Sequence, residues 1–408
     1  MRGTDLKRLL VIMILFAACG SEVTIGDSDT ASDTQALTKP ARDFTSRVSD
    51  ECVNRCTAPC EESEDSCLAY CFSHTGGSTK GDCIKRCNDD RGYCEDRCER
   101  SCDILEIHLH DFDNDDNSDI LWRNDTTGEV HMMLMNGLAI SDSKLFYTET
   151  NTAWKIVAPA DFNGDGKSDI LWQNGITGEV HMMLMNGMAI SSSKMFYTEG
   201  DTAWKIVTAA DFNGDGKSDI LWRNDTNGQV HMMLMNGWSI SSSGQFYTES
   251  NLAWKIVASA DFNGDGKSDI LWRNDTTGEV HMMLMNGMAI SDSKLFYTEA
   301  NTAWKIVASA DFNGDGKSDI LWRNSSSGEV HMMLMNGMAI SSGRMFYTEG
   351  DIAWKIVTAG DYNGDGKSDI LWRNDTNGKV HMMLMNGWSI SSSSQFYTES
   401  NLAWKILP

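Results

Sequence analysis

Six acidic loops hold the residues of this 408-residue chain whose types and spacing suit metal binding. Each loop spans nine residues and follows the pattern DFNGDGKSD or a close variant; the loops lie at 111–119, 161–169, 211–219, 261–269, 311–319 and 361–369. Side-chain oxygens at positions 1, 3, 5 and 9, with a backbone carbonyl at position 7, are typical of a cage for a hard cation such as Ca²⁺. Glycine at position 6 permits the sharp turn that brings these oxygens together.

The loop sequence favours a Ca²⁺ site over an EF-hand, a Mg²⁺ site or a solvated turn. An EF-hand needs a bidentate Glu at position 12, where this chain has Trp172, and Mg²⁺ prefers to keep its waters. A solvated Asx turn accounts for one copy but not easily for six with the same ligand types. We expect about six Ca²⁺ ions, because clustered carboxylates repel one another unless a cation neutralises them. The predicted ligands, with position 7 acting through its carbonyl, are Asp111, Asp113, Asp115, Asn117, Asp119, Asp161, Asn163, Asp165, Lys167, Asp169, Asp211, Asn213, Asp215, Lys217, Asp219, Asp261, Asn263, Asp265, Lys267, Asp269, Asp311, Asn313, Asp315, Lys317, Asp319, Asp361, Asn363, Asp365, Lys367 and Asp369.

The loops recur every 50 residues without an insertion, a period typical of propellers and solenoids. In the second unit we predict strands at Trp154–Ala158, Ile170–Gln173 and Glu179–Met185, with a fourth near Phe196–Thr198. Frequent Gly, Asn, Asp and Ser argue against helices. The third strand is apolar on both faces, as expected for sheets stacked around an axis. The sequence therefore predicts an all-β, six-bladed β-propeller of four-stranded repeats over 104–408.

Closure of such a ring requires its two ends to share a blade. Both 104–110 and 401–408 align with the first strand of a unit, and only the second keeps the Trp, at Trp404. We therefore predict that 401–408 completes the first blade, with 104–110 as the alternative.

The other repeated side chains are expected to form the core. Large aromatics at strand positions, such as Trp154 and Trp172, are more often core than sugar platforms. The three Met of each third strand fill gaps and are not expected to bind copper. His131 and its equivalents are expected to be buried and hydrogen-bonded, with catalysis or zinc binding as the alternative.

A longer period of 150 residues singles out two tryptophans. Trp238 and Trp388 follow an Asn-Gly turn at a position where the other four units carry Leu or Met. They are three units apart and therefore lie on opposite sides of a six-membered ring. We predict that they form a pair of exposed ligand contacts. The alternative is that each one caps its own blade.

The repeat DFNGDGKSDILWRN…GEVHMMLMNG resembles the FG-GAP/VCBS family of bacterial surface proteins, which is related to the integrin α-subunit propeller. The resemblance covers 104–408, about three-quarters of the chain. It implies a propeller with Ca²⁺ held between the first two strands of each blade, here by Asp161, Asn163, Asp165 and Asp169 and their equivalents. The Phe-Gly and Gly-Ala-Pro words of the integrin version are absent, which places the chain nearer the VCBS type. Fungal lectins with similar propellers supply an analogy for glycan binding.

The N-terminal segment has the features of an export signal. A basic start precedes an apolar run at Leu9–Ala18, which is too short to span a bilayer. The small residues before Cys19 resemble a bacterial lipobox, although Phe16 stands where Leu is usual. We therefore predict a lipoprotein signal over 1–19 with Cys19 lipidated, followed by a flexible linker over 20–50. An ordinary secretory signal is the alternative.

Ten cysteines in 51–103 have mirror-symmetric spacing. Steps of four and seven place side chains on one stripe of a helix, so two antiparallel helices would bring mirror positions together. A bound metal is the alternative, but so many thiols in an exported chain favour disulfides. We therefore predict a disulfide-stapled α-helical hairpin. The predicted pairs are Cys52–Cys102, Cys56–Cys98, Cys60–Cys94, Cys67–Cys87 and Cys71–Cys83.

Charge and symmetry limit the function classes. A net charge of −24 argues against nucleic acid and against anionic membrane surfaces, so the lipid anchor is the only membrane contact expected. Sixfold repetition of the polar residues favours a multivalent binding or adhesion module for a glycan or surface protein. No asymmetric catalytic set stands out, so we predict no enzyme activity. The alternatives are an envelope carbohydrate-active enzyme or a display spacer. The expected location is a bacterial outer membrane or cell surface.

Overall fold

The structure, a computed structural model, describes residues 110–407. The predicted signal, linker and cysteine-rich hairpin lie outside these residues. The described part of the chain forms strands connected by turns and loops. In chain order they are β1 (Ile120–Asn124), β2 (Glu129–Asn136), β3 (Ala139–Thr148), β4 (Trp154–Ala160), β5 (Asp169–Asn174), β6 (Glu179–Asn186), β7 (Ala189–Thr198), β8 (Trp204–Ala210), β9 (Asp219–Asn224), β10 (Gln229–Asn236), β11 (Ser239–Thr248), β12 (Trp254–Ala260), β13 (Asp269–Asn274), β14 (Glu279–Asn286), β15 (Ala289–Thr298), β16 (Trp304–Ala310), β17 (Asp319–Asn324), β18 (Glu329–Asn336), β19 (Ala339–Thr348), β20 (Trp354–Gly360), β21 (Asp369–Asn374), β22 (Lys379–Asn386), β23 (Ser389–Thr398) and β24 (Trp404–Ile406).

These strands form six antiparallel sheets of four strands, which are the blades of a six-bladed β-propeller. Blade 1 has the strand order β24-β1-β2-β3, and blades 2 to 6 take the remaining strands four at a time, from β4–β7 to β20–β23. The first strands of successive blades pack against one another around the axis. The predicted all-β propeller of four-stranded repeats is confirmed.

Tight glycine turns explain why each repeat folds into one blade. In blade 2 the second and third strands are joined through Gly178, whose φ of 73° lies in the left-handed region. A Cβ on Gly178 would lie 1.7 Å from the Glu199 carbonyl oxygen, so only glycine lets the chain pass there. The third and fourth strands are joined by an Asn-Gly turn at Gly187, with φ of 59°.

The core consists of six apolar clusters, each shared by two adjacent blades. In the cluster between blades 2 and 3, Leu171 and Met182 from one blade meet Trp222 and Met235 from the next. The six tryptophans equivalent to Trp222 are each 2% exposed. Because both faces of every middle strand are covered, the blades cannot fold stably in isolation. The predicted core role is confirmed for Trp172 and its equivalents and for the three Met of each third strand, whereas Trp154 and its equivalents are only partly buried.

Three of the strands predicted for blade 2 are shorter than the observed strands, and the fourth prediction misses most of its strand. The first strand of blade 2 continues to Ala160, and the second and third are longer by one or two residues. The fourth strand begins at Ala189, well before the predicted Phe196. Its middle is polar and exposed, so apolar alternation does not mark it; pairing with β6 does.

Closure of the ring follows the prediction. The C-terminal strand β24 pairs with β1 and supplies the innermost strand of blade 1. Among the described residues three pairs join them: Trp122↔Ile406, Arg123↔Lys405 and Asn124↔Trp404. Among residues 110–407, no helix is long and apolar enough to cross a membrane.

Candidate metal centres and inter-blade grooves

All six acidic loops lie at one end of the propeller, which we call the loop face. In blade 2 the strand β4 leads into loop 161–169, and β5 begins at the last residue of that loop. Because strands alternate in direction, the Asn-Gly turn between the third and fourth strands lies at the same end. The Gly237 amide of blade 3 donates to the Phe162 carbonyl at 2.7 Å, which joins this turn to the preceding loop.

The six loops are joined to one another in a closed ring. In each loop the serine at position 8 donates its backbone N–H to the position-1 carbonyl of the preceding loop, at 2.6–2.8 Å. The bonds are Ser118–Asp361, Ser168–Asp111, Ser218–Asp161, Ser268–Asp211, Ser318–Asp261 and Ser368–Asp311. These bonds connect every loop to both of its neighbours.

Within each loop, side chains of the predicted ligands hold the backbone in a tight turn. The carboxylate of Asp161 accepts the backbone N–H of Asn163, Gly164 and Gly166 at 2.7–3.1 Å. The Asn163 side-chain oxygen accepts the N–H of Asp165 at 2.8 Å. These bonds curl the chain into a tight turn, in which the Asn163 side-chain N–H donates to the Asp165 carboxylate at 3.3 Å.

The position-9 aspartates are the most deeply buried of the predicted ligands. Asp169 is 0% exposed; one of its oxygens accepts the Phe162 N–H at 3.1 Å and the other accepts the Met185 N–H at 2.9 Å. These bonds favour the ionised form, but burial outweighs them and nearby acidic groups add to it. Burial thus raises the pKa of each position-9 carboxyl to about 8: Asp119, Asp169, Asp219, Asp269, Asp319 and Asp369.

The pKa of the position-1 aspartate is also raised in each of loops 2 to 6. Burial raises the pKa of Asp161, Asp211, Asp261, Asp311 and Asp361, and the position-5 carboxylate of the same loop raises it further. For Asp311 and Asp361 the value is about 6. Carboxylates that are both buried and mutually repelling are suited to a cation that neutralises them.

The first loop brings three carboxylates together most closely. Oxygens of Asp111, Asp113 and Asp115 lie within 4.8 Å of one another, which no other trio of His, Cys, Asp or Glu does among residues 110–407. The Oδ1 atom of Asp113 is buried and has no hydrogen-bond partner. Burial, followed by the charges of Asp115 and Asp111, raises the pKa of Asp113 to about 6. This donor set fits a divalent cation; Asp119 lies outside the trio.

The lysine at position 7 has a second role that the sequence did not indicate. A Cβ placed on Gly164 would lie 3.2 Å from Lys217 Cγ, so the lysine of one loop crosses the glycine of the preceding loop. Lys267 also lies 3.7 Å from a carboxylate oxygen of Asp265 in its own loop. The lysines thus place positive charge on the loop face.

At the opposite end of the propeller, aromatic side chains line each junction between blades. Between blades 1 and 2, the ring of Tyr147 meets Trp172 edge-on at 5.8 Å, and Trp154 meets His181 edge-on at 6.3 Å. His181 is half-buried, and burial lowers its pKa. The histidine was predicted to be buried and hydrogen-bonded; it is half-buried and packs against an aromatic ring.

Five arginines also lie at the junctions between blades, and the sequence analysis did not identify them as interface residues. Each guanidinium lies 5.1–5.4 Å from the centre of a tryptophan ring in the next blade. Arg223 also donates through Nη1 to the Trp254 carbonyl, while its Nε and Nη2 have no partner. Blade 2 has Gln173 instead, whose side chain bonds Trp204 O at 3.2 Å and Ile206 N at 3.3 Å.

The arginine position offers a matched pair of substitutions. Arg223→Ala removes the ring contact and the hydrogen bond to Trp254, and we expect it to cost about 2–4 kcal/mol of unfolding free energy. Arg223→Gln should cost less than about 1.5 kcal/mol, because Gln173 shows that glutamine can bridge the same backbone groups. Urea unfolding midpoints measure both. Equal losses in the two variants would contradict this account.

The two predicted ligand tryptophans lie on the loop face in a more enclosed setting than expected. Trp238 is half-buried and packs against the core cluster shared by blades 2 and 3. Trp388 packs in the same way between blades 5 and 6. Each therefore spans two blades rather than standing free or capping only its own blade. They lie on opposite sides of the ring, as predicted.

Comparison with solved structures finds matches of low identity. A chain of a nidogen/laminin complex aligns with a TM-score of 0.46 at 8% identity, covering 71% of this chain and 96% of that one. A streptogramin B lyase aligns at 0.42 and 10%, covering 72% and 87%. Regucalcin, a calcium-binding protein from Agrobacterium tumefaciens strain C58, aligns at 0.39 and 9%, covering 58% and 72%.

Comparison by sequence gives a family. No curated protein matches the chain. The FG-GAP-like repeat matches at 111–172, 211–272, 261–322 and 311–372, which together make up more than half of the chain. Each match begins at an acidic loop and ends at the buried Trp of the following unit. With its loops, blades and core tryptophans in these positions, the chain belongs to the FG-GAP-like repeat family.

Proposed function

We propose that this chain is a calcium-binding propeller that acts as a multivalent binding or adhesion module for a glycan or a surface protein. The observation that carries the calcium part is the geometry of the loops: the position-9 carboxylate of each is 0% exposed, and in loop 2 the position-1 and position-9 carboxylates accept backbone N–H groups that hold a tight turn. Positions 1, 3 and 5 would hold the ion, with positions 7 and 9 completing the set. The ion would supply the positive charge that the loops lack.

Repetition supports the binding part of the proposal. The Trp–His contact recurs in every blade and the Tyr–Trp contact at every junction between blades, so a ligand that fits one of these surfaces meets six nearly equivalent sites. Weak sites repeated on a rigid ring gain affinity for a multivalent surface. Because the polar groups are shared by the repeats, we propose a binder rather than an enzyme.

The export signal and Cys19 fit the same proposal, with the chain anchored by lipid at a bacterial outer membrane or cell surface. Ligand binding and its dependence on Ca²⁺ can be tested separately. A glycan array probed with and without EDTA tests binding: retention of glycans only in Ca²⁺ supports the whole proposal. Retention in both conditions supports binding but not its dependence on the ion. No retention, with no surface protein captured by crosslinking, contradicts the binding role.

The paired tryptophans give a sharper test of the contact surface. The double variant Trp238→Met with Trp388→Met should keep the fold, because Met188, Met288 and Met338 occupy the same position in other blades. If these indoles contact the ligand, its affinity should fall by about tenfold or more. Circular dichroism checks the fold. Binding at full strength in the folded variant would show that the tryptophans serve only the blade interface.

A further inference from the structure

The fourth, outermost strands of the blades differ in charge in a pattern that repeats every three blades. At the position of Lys144, blades 1 to 6 carry Lys, Lys, Gly, Lys, Arg and Ser in that order. Two positions earlier they carry Asp, Ser, Ser, Asp, Ser and Ser. Blades 2 and 5 therefore have a cation, Lys194 or Arg344, without an acidic residue two positions before it. Blades 1 and 4 have both charges, and blades 3 and 6 have neither.

These two strand positions face the following blade. In β7, Lys194 pairs with Met182 and Ser192 pairs with Leu184 of β6. Directly opposed residues of paired strands project from the same face of a sheet. Because Met182 and Leu184 pack in the apolar cluster shared by blades 2 and 3, the paired residues lie on the side of blade 2 that meets blade 3. The corresponding pairs in blade 5 place Arg344 on the side that meets blade 6.

The half-buried Trp238 lies across this same junction, against the cluster shared by blades 2 and 3. The junction between blades 3 and 4 shows how close the two positions are. A Cβ placed on Gly244 there would lie 3.5 Å from Met288 Sδ. Gly244 and Met288 are the counterparts of Lys194 and Trp238. The side chain of Lys194 therefore begins beside the indole.

Blades 5 and 6 repeat this arrangement with Arg344 and Trp388, which packs against the cluster shared by those two blades. Both cations are exposed and both indoles are half-buried. Among residues 110–407, no carboxylate lies within 4.0 Å of the charged group of Lys194 or Arg344. The two junctions that have an indole are thus the same two whose cation has no acidic neighbour on its own strand face.

The Asn-Gly turns at these two junctions also lie further from the preceding acidic loop. At Gly237 and Gly387, no atom lies within 4 Å of a Cβ placed on the glycine. In the other four blades such a Cβ would lie 3.7–3.9 Å from the position-3 Cβ of that loop: Gly137, Gly187, Gly287 and Gly337. The surface beside each of the two indoles therefore has slightly more room for a ligand.

An indole beside a cation is suited to a sugar ring that carries an acid group. The flat face of an indole packs against the C–H groups of a pyranose ring, and an ammonium or guanidinium forms short hydrogen bonds with a carboxylate. Exposed Ser192 and Ser342, on the same sheet faces as the cations, offer hydroxyls to the hydroxyls of a sugar. This combination of ring face, cation and hydroxyl favours a carboxylated sugar over an acidic peptide.

The charge of the whole chain makes a local cation necessary for such a ligand. The net charge is −24, so most of the surface repels an anion. The acidic loops lie at the same end as Trp238 and would repel it as well unless they hold cations. Lys194 and Arg344 supply positive charge at two places, and the proposed Ca²⁺ ions would remove the repulsion from the loops.

We propose that Trp238 with Lys194, and Trp388 with Arg344, form two equivalent sites for a carboxylated sugar, such as a uronic acid residue of a glycan. The inference rests on the proposed calcium-dependent glycan-binding function and adds the class of sugar and the number of sites. In each site the indole packs on the pyranose ring and the cation pairs with the carboxylate. Because the sites lie on opposite sides of the ring, one chain can hold two glycan chains at once.

Calorimetric titration of the full chain in Ca²⁺ tests the class of sugar. The probe is a tetrasaccharide of alternating glucuronic acid and N-acetylglucosamine, and its control is the same tetrasaccharide with the carboxyl groups reduced to alcohols. We expect two equivalents of the acidic probe to bind about tenfold or more tightly than the reduced one, which loses the charge-assisted hydrogen bonds. The affinity for the acidic probe should also fall as NaCl is added, because the cations are exposed.

Two double variants with the same change of charge separate the proposed sites from the rest of the surface. Lys194→Ser with Arg344→Ser should weaken binding of the acidic probe by about tenfold. This variant should fold, since Ser394 occupies the same position in blade 6. Lys144→Ser with Lys294→Ser removes two cations from junctions that have methionine in place of the indole, and it should leave the affinity unchanged. Circular dichroism checks both folds.

Three results would overturn the inference: equal affinity for the acidic and the reduced probe, equal losses in the two double variants, or a glutamate oligopeptide of the same charge that binds as tightly as the acidic sugar. Retention of neutral glycans on the array, or capture of a surface protein, would then leave the proposed binding role intact. A chain that retains no glycan and captures no surface protein would overturn both.

Discussion

Removing Ca²⁺ with EDTA should lower the melting temperature by more than about 10 °C. A ligand that binds only the folded state stabilises it by about 2.7 kcal/mol per site when its free concentration is a hundred times its Kd. Six sites on one ring therefore add up to a large effect, since about 1 kcal/mol shifts the Tm of a chain of this size by about 2 °C. Differential scanning calorimetry in excess Ca²⁺ and in EDTA measures the difference.

Two controls make this result specific. Restoring Ca²⁺ after chelation should restore the Tm, while Mg²⁺ at the same concentration should restore less of it, because Mg²⁺ keeps its waters. Asp165→Ala should delete one site and leave five, as counted by titration. A calorimetric scan that is the same with and without EDTA would remove the physical basis for calcium in these loops.

The stabilisation by Ca²⁺ should grow as the pH rises from about 5 to about 8. In the ion-free folded chain the position-9 carboxyls have pKa values of about 8, whereas in the unfolded chain aspartates titrate near about 3.9. Over that window the folded state holds more protons than the unfolded state, so raising the pH removes stability from the ion-free chain. Bound Ca²⁺ keeps the carboxylates ionised and cancels this loss.

Melting curves at several pH values, with and without EDTA, test the sign. In EDTA the Tm should fall steadily between pH 5 and pH 8, and in Ca²⁺ it should stay level or rise. The variant Asp219→Asn removes one titrating carboxyl, which accepts the backbone N–H groups of Phe212 and Met235. In EDTA, the fall in Tm between pH 5 and pH 8 should be smaller in this variant by about one-sixth. A Tm in EDTA that rises over this range would show that the buried carboxyls are ionised without an ion.

Local patterns were sufficient to predict the blades. The 50-residue period, the Asn-Gly turns and the two-sided apolar third strand each depend on residues close in sequence, so they identify strands and turns directly. The closing strand was also predictable, because Trp404 repeats the first residue of β4. The positions of the six loops could be predicted from residue types and spacing alone, and their role as calcium ligands stays a prediction.

Contacts between repeats were not predictable in the same way. The stacking of Arg223 on Trp272, the path of Lys217 over Gly164, and the position of Trp238 across two blades depend on how adjacent blades are rotated about the axis. The outer strand β7 was largely missed for a related reason. It is exposed and polar, and it is held by hydrogen bonds to β6 rather than by an apolar face.

The closing strand β24 also sets the order in which the molecule can be completed during synthesis. Among the strands of the propeller, those in residues 120–148 leave the ribosome first, yet β24, which is the innermost strand of blade 1, is made only with residues 404–406. Until then Ile120, Trp122 and Met133, which become the core against blade 6, have no neighbour to cover them. The first blade is therefore exposed to aggregation while the other five blades are being translated.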